Sequence, residues 1–361
     1  MSDPVKQLDA GKGAPVLSEI PRYDSYDPRP YADTGFRIPR LNLVLFLLTL
    51  LTTTMAGAYM AGADLSILHP LAGFGALASG LSFSIPLMAI LLAHELGHYI
   101  TSRHYGVDAS LPYFIPAPFP SFFFTGTFGA MIRMRSVPNS RRIMFDIGAA
   151  GPWAGMLIAL PATIIGLHYS AISPLEVSSG GLNLGNSLLF LGLSKWILGV
   201  DPNAVNINLH PIAFAGWLGF FVTTLNLVPS GQFDGGHVIY ALFGRHHRTI
   251  SRFAVLFCVL MVIVPFILSK DYWGGWLLWA VILLFVGLGH PTTLDAETPL
   301  DLRRRIAAWA TVALFIVTFT PVPLSFAPPS APIDKDKVYQ VMQPDSVPAT
   351  IGRLRSYGCR I

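Results

Sequence analysis

The chain has 361 residues, 52% of them hydrophobic and only 12% charged, with a mean hydropathy of +0.54. Soluble domains carry about a quarter charged residues, so this composition argues against a water-soluble globule and for an integral membrane protein in a lipid bilayer. A net charge of +4 gives no nucleic-acid surface, and two cysteines, Cys258 and Cys359, argue against a disulfide framework or a cysteine-built zinc knuckle.

Residues 1–40 hold six Lys or Arg, several Pro and no helical apolar period, which reads as a solvated cytoplasmic tail. The apolar stretch that follows starts too late and runs too long to be the core of a signal peptide. Leu41 to Ala63 is a first span, Asp64 to Pro70 a turn, and Leu77 to Ile100 a second span. From Thr101 to Arg142 the chain is apolar yet broken by Pro112, Pro116, Pro118 and Pro120, a spacing that excludes a continuous helix. The expectation is a loop entering the membrane zone, then a short strand or hairpin from Phe122 to Met134. Irregular backbone at that depth is tolerated where it lines a protein cavity, so this segment is a candidate cleft wall.

Ile143 to Tyr169 is a third span in which Gly148, Gly151 and Gly155 permit close helix packing. Residues 170–210 read as a polar loop on the opposite side. Pro211 to Val228 is a fourth span running into NLVPSGQFDGGH, and Phe253 to Ser269, Gly274 to Gly289 and Ala307 to Val322 complete the count. The expected fold is an all-α polytopic membrane protein of about seven transmembrane helices with a short membrane-associated β-hairpin or strand region. It divides into the tail 1–40, a transmembrane domain 41–323 with its core at 77–245, and a Pro-rich C-terminal tail 324–361. No internal repeat is evident.

Placing the N-terminus in the cytoplasm puts 17 of the 24 Lys and Arg on that side, and the short outer loops then hold only Lys195 and Lys270. Such an asymmetry orients a multi-pass chain, and it sets the ends of the second and fourth spans on the cytoplasmic side. With the low cysteine content it fits a bacterial cytoplasmic membrane, with an organelle membrane of equivalent orientation as the alternative.

The second span closes on LLAHELGHYI. On a helix His94 and His98 project from one face, so two imidazoles can grip one metal ion with Glu95 beside it. Zinc in a hydrolase takes three protein ligands and leaves a fourth position for water, whose pKa falls to about 7. Glu95 is placed to take that water's proton and hand it to a leaving amine. Three ionisable groups in one membrane turn demand strong compensation, which a helix-to-helix pairing of His94 and Glu95 would supply less well than a metal site. For the third ligand, His104 lies ten residues after His94, but position 101 is Thr where a soluble zinc protease needs a turning Gly. Asp234 is better placed, at comparable depth after the fourth span with Gly235 and Gly236 beside it, and a carboxylate lowers the charge of a poorly hydrated site. His237 is a weaker alternative. His246 and His247 read as part of an interfacial basic cluster.

HELGH on a transmembrane helix, followed by GTFGAMIRM, FDIGAAGPWAG and LNLVPSGQFDGG, resembles the site-2 protease family of intramembrane zinc metalloproteases over residues 77–245. The resemblance implies His94, His98 and Asp234 as zinc ligands and Glu95 as the catalytic base. It also implies that Asn226 helps bind substrate backbone or the oxyanion, against the alternative of a helix-to-helix hydrogen bond. GTFGAMIRM resembles the family's membrane-associated strand region, whose edge would hold an unwound substrate helix extended near Gly126 and Gly129, although both glycines also suit tight turns. Two departures stand out: Gly155 occupies the position where many relatives have Asn, and the stretch between Tyr169 and Pro211 is too short for a PDZ domain. The reading is a zinc endopeptidase of regulated intramembrane proteolysis, using Zn2+ and acting on a transmembrane protein, with oligomeric state left open. The rivals are an intramembrane metal transporter and a protease-like scaffold that does not cut.

Overall fold

A computed structural model describes residues 38–63, 70–118, 124–173, 182–202, 205–268 and 270–326. The turn after Ala63, the middle of the proline-rich loop and nearly all of both expected tails lie outside the described residues.

The structure is mostly helical, as the composition requires. In order it runs α1 (Arg40–Met60), α2 (Pro70–Ser79), α3 (Leu81–His104), β1 (Tyr113–Pro116), β2 (Thr127–Met131), α4 (Arg141–His168), β3 (Ala171–Ser173), β4 (Leu182–Leu184), α5 (Leu188–Leu198), β5 (Asn206–Asn208) and α6 (Pro211–Asn226). Then come α7 (Asp234–Phe243), α8 (His247–Ile267), α9 (Gly275–Val286), α10 (Leu302–Thr318) and β6 (Leu324–Phe326). Four helical stretches are long and apolar enough to cross a membrane: Arg40–Met60, Leu81–His104, Arg141–His168 and Asp234–Ile267. The remaining expected spans coincide with α6, α9 and α10, of 16, 12 and 17 residues.

Several boundaries differ from expectation for local reasons. The second span does not run unbroken from Leu77, because Gly80 sits against the Thr54 carbonyl of α1 and separates α2 from α3. The hairpin begins at Tyr113, directly after Pro112, rather than at Phe122. Tyr113 pairs with Met131 and Phe114 with Ala130, and an irregularity precedes the pairing of Pro116 with Thr127. Pro116 is tolerated because it sits at this irregularity of a two-stranded sheet, where its missing N–H breaks no regular ladder. The stretch 170–210 is not only a loop: Ser187 caps the N-terminus of α5 through Phe190 N–H at 3.2 Å, and Gly199, with φ +68°, caps its other end. Strands β3 and β5 pair there, and β4 pairs with β6, so Leu324–Phe326 joins the helical domain rather than the tail.

Glycines set how closely the central helices approach. In a bilayer, lipid is as apolar as leucine, so helices associate through packing and polar contacts, and small residues allow both. Gly97 of α3 lies where a Cβ would be 2.6 Å from the Ala150 carbonyl of α4; Gly166 of α4 abuts Ala213 of α6, and Gly219 of α6 abuts Ala159. Phe83, Leu87, Ile90, Met156, Trp217 and Phe220 fill the core between these three helices.

One end of the bundle collects its charge. Arg304 at the start of α10 donates to both Asp146 oxygens, at 2.9 and 2.8 Å, and to Asp301 at 2.8 Å. The Tyr105 hydroxyl, just past α3, donates to Asp146 at 2.6 Å. Arg141 at the start of α4 donates to the Ala241 carbonyl at the end of α7. Two arginines and their partners thus tie four helices, α3, α4, α7 and α10, together at one end, the end at which α3 finishes.

Candidate metal centre

His94 and His98 lie one turn apart on α3, and their Nε2 atoms are 3.1 Å apart. Asp234 brings one carboxylate oxygen to 3.2 Å from His94 Nε2 and the other to 3.3 Å from His98 Nε2. An ion bound tetrahedrally at about 2.0–2.1 Å separates its ligands by about 3.3 Å, so the two imidazole nitrogens already stand near the spacing of two corners of such a site, with the carboxylate reaching both. Among the described residues this is the one group of three or more His, Cys, Asp or Glu side chains close enough to share an ion. The tautomer agrees. His98 Nδ1 lies 2.7 Å from the Ile147 carbonyl oxygen, which can only accept, so Nδ1 carries the proton and Nε2 keeps its lone pair for a metal. The residues therefore fit zinc.

Asp234 reaches the histidines through the turn between α6 and α7. α6 ends at Asn226, and α7 starts at Asp234 with its first turn folded back on that turn. A Cβ at Gly235 would overlap the Leu227 carbonyl, and one at Gly236 would sit 2.6 Å from the Ser230 carbonyl. Two glycines after the aspartate are thus a requirement of close backbone approach. Asn226, at the same junction, places Nδ2 3.2 Å from His94 Nε2.

α4 forms the floor. Its sequence GAAGPWAG presents Gly148, Gly151 and Gly155 at intervals of three and four, one helical face. Each meets a different histidine: a Cβ at 148 would be 2.6 Å from His237 Cβ, one at 151 would overlap the His98 ring, and one at 155 would be 3.3 Å from His94 Cβ. The expected close packing is present, but what it admits is imidazole. Gly155 has no polar role, in keeping with its departure from the related motif.

A cavity of about 430 Å³ opens onto the site. Its lining joins Glu95, Asn226, Asp234 and His237 to the strand exit Ala130 to Met134, so the expected cleft wall is formed by its final residues. Glu95, 7% exposed, accepts a hydrogen bond from the Ile132 N–H and is thereby fixed against that wall. Gly126 and Gly129 do not line the cavity. Gly126, with φ +70°, is wedged against Thr52 and Thr53 of α1, and Gly129, with φ +100°, faces open space. Among the described residues no third strand joins β1 and β2.

The other histidines separate. His104 is exposed at the end of α3, away from the site. His237 lies in the cavity wall without joining the ligand set, its Nδ1 2.7 Å from Nε2 of His290. His246 is exposed, but His247 is only 3% exposed, so it belongs to the interior rather than to a basic surface cluster. His290 escaped the sequence reading altogether; it stands in no motif, and the 53 residues from His237 carry no sign of the pairing.

A sequence model of peptidase family M50 matches residues 82–268, which hold all four groups of the centre. The chain is 26% identical over 254 residues to a rice (Oryza sativa subsp. indica) protein named "Probable zinc metalloprotease EGY2, chloroplastic", covering 70% of this chain and 44% of the relative. It is 36% identical over 174 residues to the rice (subsp. japonica) "Probable zinc metalloprotease EGY1, chloroplastic", and 32% identical over 188 residues to the Arabidopsis thaliana protein of the same name. These alignments cover 46% and 51% of this chain and 29% and 32% of the relatives. The chain spans less than half the length of the curated relatives it matches. No solved structure matches it. With two histidines, an aspartate and a glutamate assembled as a zinc hydrolase requires, and with the family's sequence pattern running through all of them, the chain belongs to peptidase family M50, the site-2 protease family of zinc metallopeptidases.

Proposed function

We propose that the protein is an intramembrane zinc endopeptidase that cuts a peptide bond within or beside a transmembrane segment of another membrane protein, in regulated intramembrane proteolysis. The observation that carries this reading is the position of Glu95: a carboxylate that is no part of the ligand triangle, beside it, in the same cavity. A metal carrier has no use for such a base, and its ion path needs ligands at successive depths. A scaffold that does not cut has no need of either the base or the triangle.

His94, His98 and Asp234 hold zinc, which when bound polarises a substrate carbonyl and makes water acidic enough to ionise at neutral pH. Glu95 removes a proton from the attacking water and returns it to the leaving amine nitrogen, so no proton is gained or lost overall. Asn226, with its amide beside His94, steadies the substrate backbone or the developing oxyanion. Gly126 just before β2 and Gly129 within it shape the strand whose exit lines the cavity, and a substrate segment unwound into a strand would lie along that exit. Seven spans with the N-terminus in the cytoplasm, counting α6, α9 and α10 with the four long stretches, put the metal on the side of the basic bundle end. The matched relatives carry "chloroplastic" in their names, so similarity gives no footing for a bacterial cytoplasmic membrane, and the location retained is a membrane crossed several times.

Glu95→Gln tests the reading. It should keep one zinc per chain while cleavage falls by about 10²–10⁴-fold, the range of a general base, and the membrane proteome of cells bearing it should accumulate an uncut single-span protein. Undiminished cleavage by Glu95→Gln would overturn the assignment.

A further inference from the structure

Besides Arg133 at the strand exit, His237 is the ionisable side chain in the cavity lining that neither holds the ion nor serves as the base. His237 is 6% exposed, and its surroundings fix the ring. Its Nδ1 lies 2.7 Å from His290 Nε2, and His290 Nδ1 lies 2.6 Å from the Pro291 carbonyl oxygen. A carbonyl only accepts, so His290 carries a proton on Nδ1. Burial holds the His290 pKa down to about 4, so at neutral pH that is its single ring proton and Nε2 is an acceptor. His237 must then be the donor, from Nδ1. In the neutral His237 ring this leaves the lone pair on Nε2.

The pair is held from several sides. The Tyr240 ring stacks on His290 with centroids 4.1 Å apart and planes 7° apart, and its hydroxyl accepts from the Thr293 N–H at 3.2 Å. His247 packs edge-on against His290 at 5.4 Å. On the opposite flank Gly148 lies against the Cβ, Cγ and Cδ2 side of His237. With Nδ1 committed to His290 and that side packed on α4, the Nε2 edge is the part left for the cavity.

Hydrolysis as written above returns its proton to the product amine, so the reaction needs no wire to carry protons out through this pair. The cavity does need acceptors. A substrate segment drawn out as a strand along Ala130–Met134 presents backbone N–H groups to the rest of the cavity lining, where each must find a partner once water is displaced. We propose that His237 Nε2 accepts one of those substrate N–H groups, and that His290 is a positioning residue that sets the tautomer allowing it to do so. This rests on the endopeptidase reading and adds a substrate contact to it.

The test uses the purified full chain, zinc-loaded in detergent, with unfolded β-casein as an extended probe. An asparagine amide falls near the Nδ1 position of histidine and a glutamine amide near the Nε2 position. His237→Asn therefore keeps the His290 contact and loses the cavity atom, while His237→Gln does the reverse. His237→Asn should raise KM about tenfold, the value of one hydrogen bond, with kcat little changed, and His237→Gln should stay within about threefold of the natural protein. His290→Leu should raise KM to a similar degree, add nothing in the His237→Asn background, and be rescued by His290→Gln, whose amide oxygen can accept from His237. Zinc should stay at one per chain throughout, and 15N spectra of labelled histidine should show the Nδ1–H tautomer at both positions. Unchanged KM in His237→Asn, loss of kcat alone, or loss of zinc would each overturn the inference. Zinc-loaded natural protein that leaves β-casein and every membrane protein uncut would instead overturn the endopeptidase reading, and the inference with it.

Discussion

α4 and α8 are both long apolar helices, yet they relate to the molecule in opposite ways. Half of the most apolar window of α4 is buried, against 22% for the stretch that contains α8. α8 turns a single stripe inward, His247, Ser251, Ala254, Cys258 and Val262, and leaves Phe253 at 64% and Phe266 at 64% exposure for lipid. α4 is buried along a broad face, and where that face meets the histidines it is glycine. Apolar character tells where a helix lives; the placement of its smallest residues tells what it holds.

Substitutions can break that comparison. The largest effect is expected at Gly151, where a methyl would occupy the His98 ring: Gly151→Ala should weaken zinc binding by at least about 100-fold, read by competition with a metallochromic chelator, and abolish cleavage with it. Full zinc occupancy in that variant would mean that the floor is not rigid. At Gly155 the added methyl meets His94 at 3.3–3.4 Å, close but not overlapping, and zinc affinity should fall only about tenfold. Asp146→Asn leaves the histidines alone but strips Arg304 of the more buried of its two carboxylate partners, with Asp301 remaining. Unfolding in detergent should show a loss of about 2 kcal/mol, as for a charged hydrogen-bonded pair, with zinc affinity intact. Phe253→Ala on α8 should change stability by less than about 0.5 kcal/mol, because the ring meets only lipid or detergent. A large effect there would reveal a protein partner on that face.

The comparison also explains what could be read from the chain alone. His94, Glu95 and His98 share one helical turn, so their geometry follows from spacing. Asp234 was legible through its two glycines, whose purpose became specific only when the Leu227 and Ser230 carbonyls were seen pressing on them. The three glycines of α4 were legible as a packing face, but nothing in GAAGPWAG says that the packed objects are imidazoles from two other helices. α5 was hidden because its eleven residues are diluted by Gly, Asn and Ser on both sides, although Ser187 and Gly199 are ordinary cap residues. His290 had no local sign at all. Contacts between residues far apart in sequence leave no periodicity to find.

The place of HELGH along α3 has a consequence for the bond that is cut. Counting back from His104 at 1.5 Å per residue puts the two histidines roughly 9 and 15 Å inside that end of the helix. Against a hydrocarbon layer about 30 Å thick, the proposed reaction takes place between the surface and the midplane. A substrate span entering from the same side would meet the site roughly eight residues in if still helical, and roughly four if drawn out at about 3.3 Å per residue. In the proposed reaction the helix that would hold the metal thus acts as a ruler, and depth in the bilayer would select the bond.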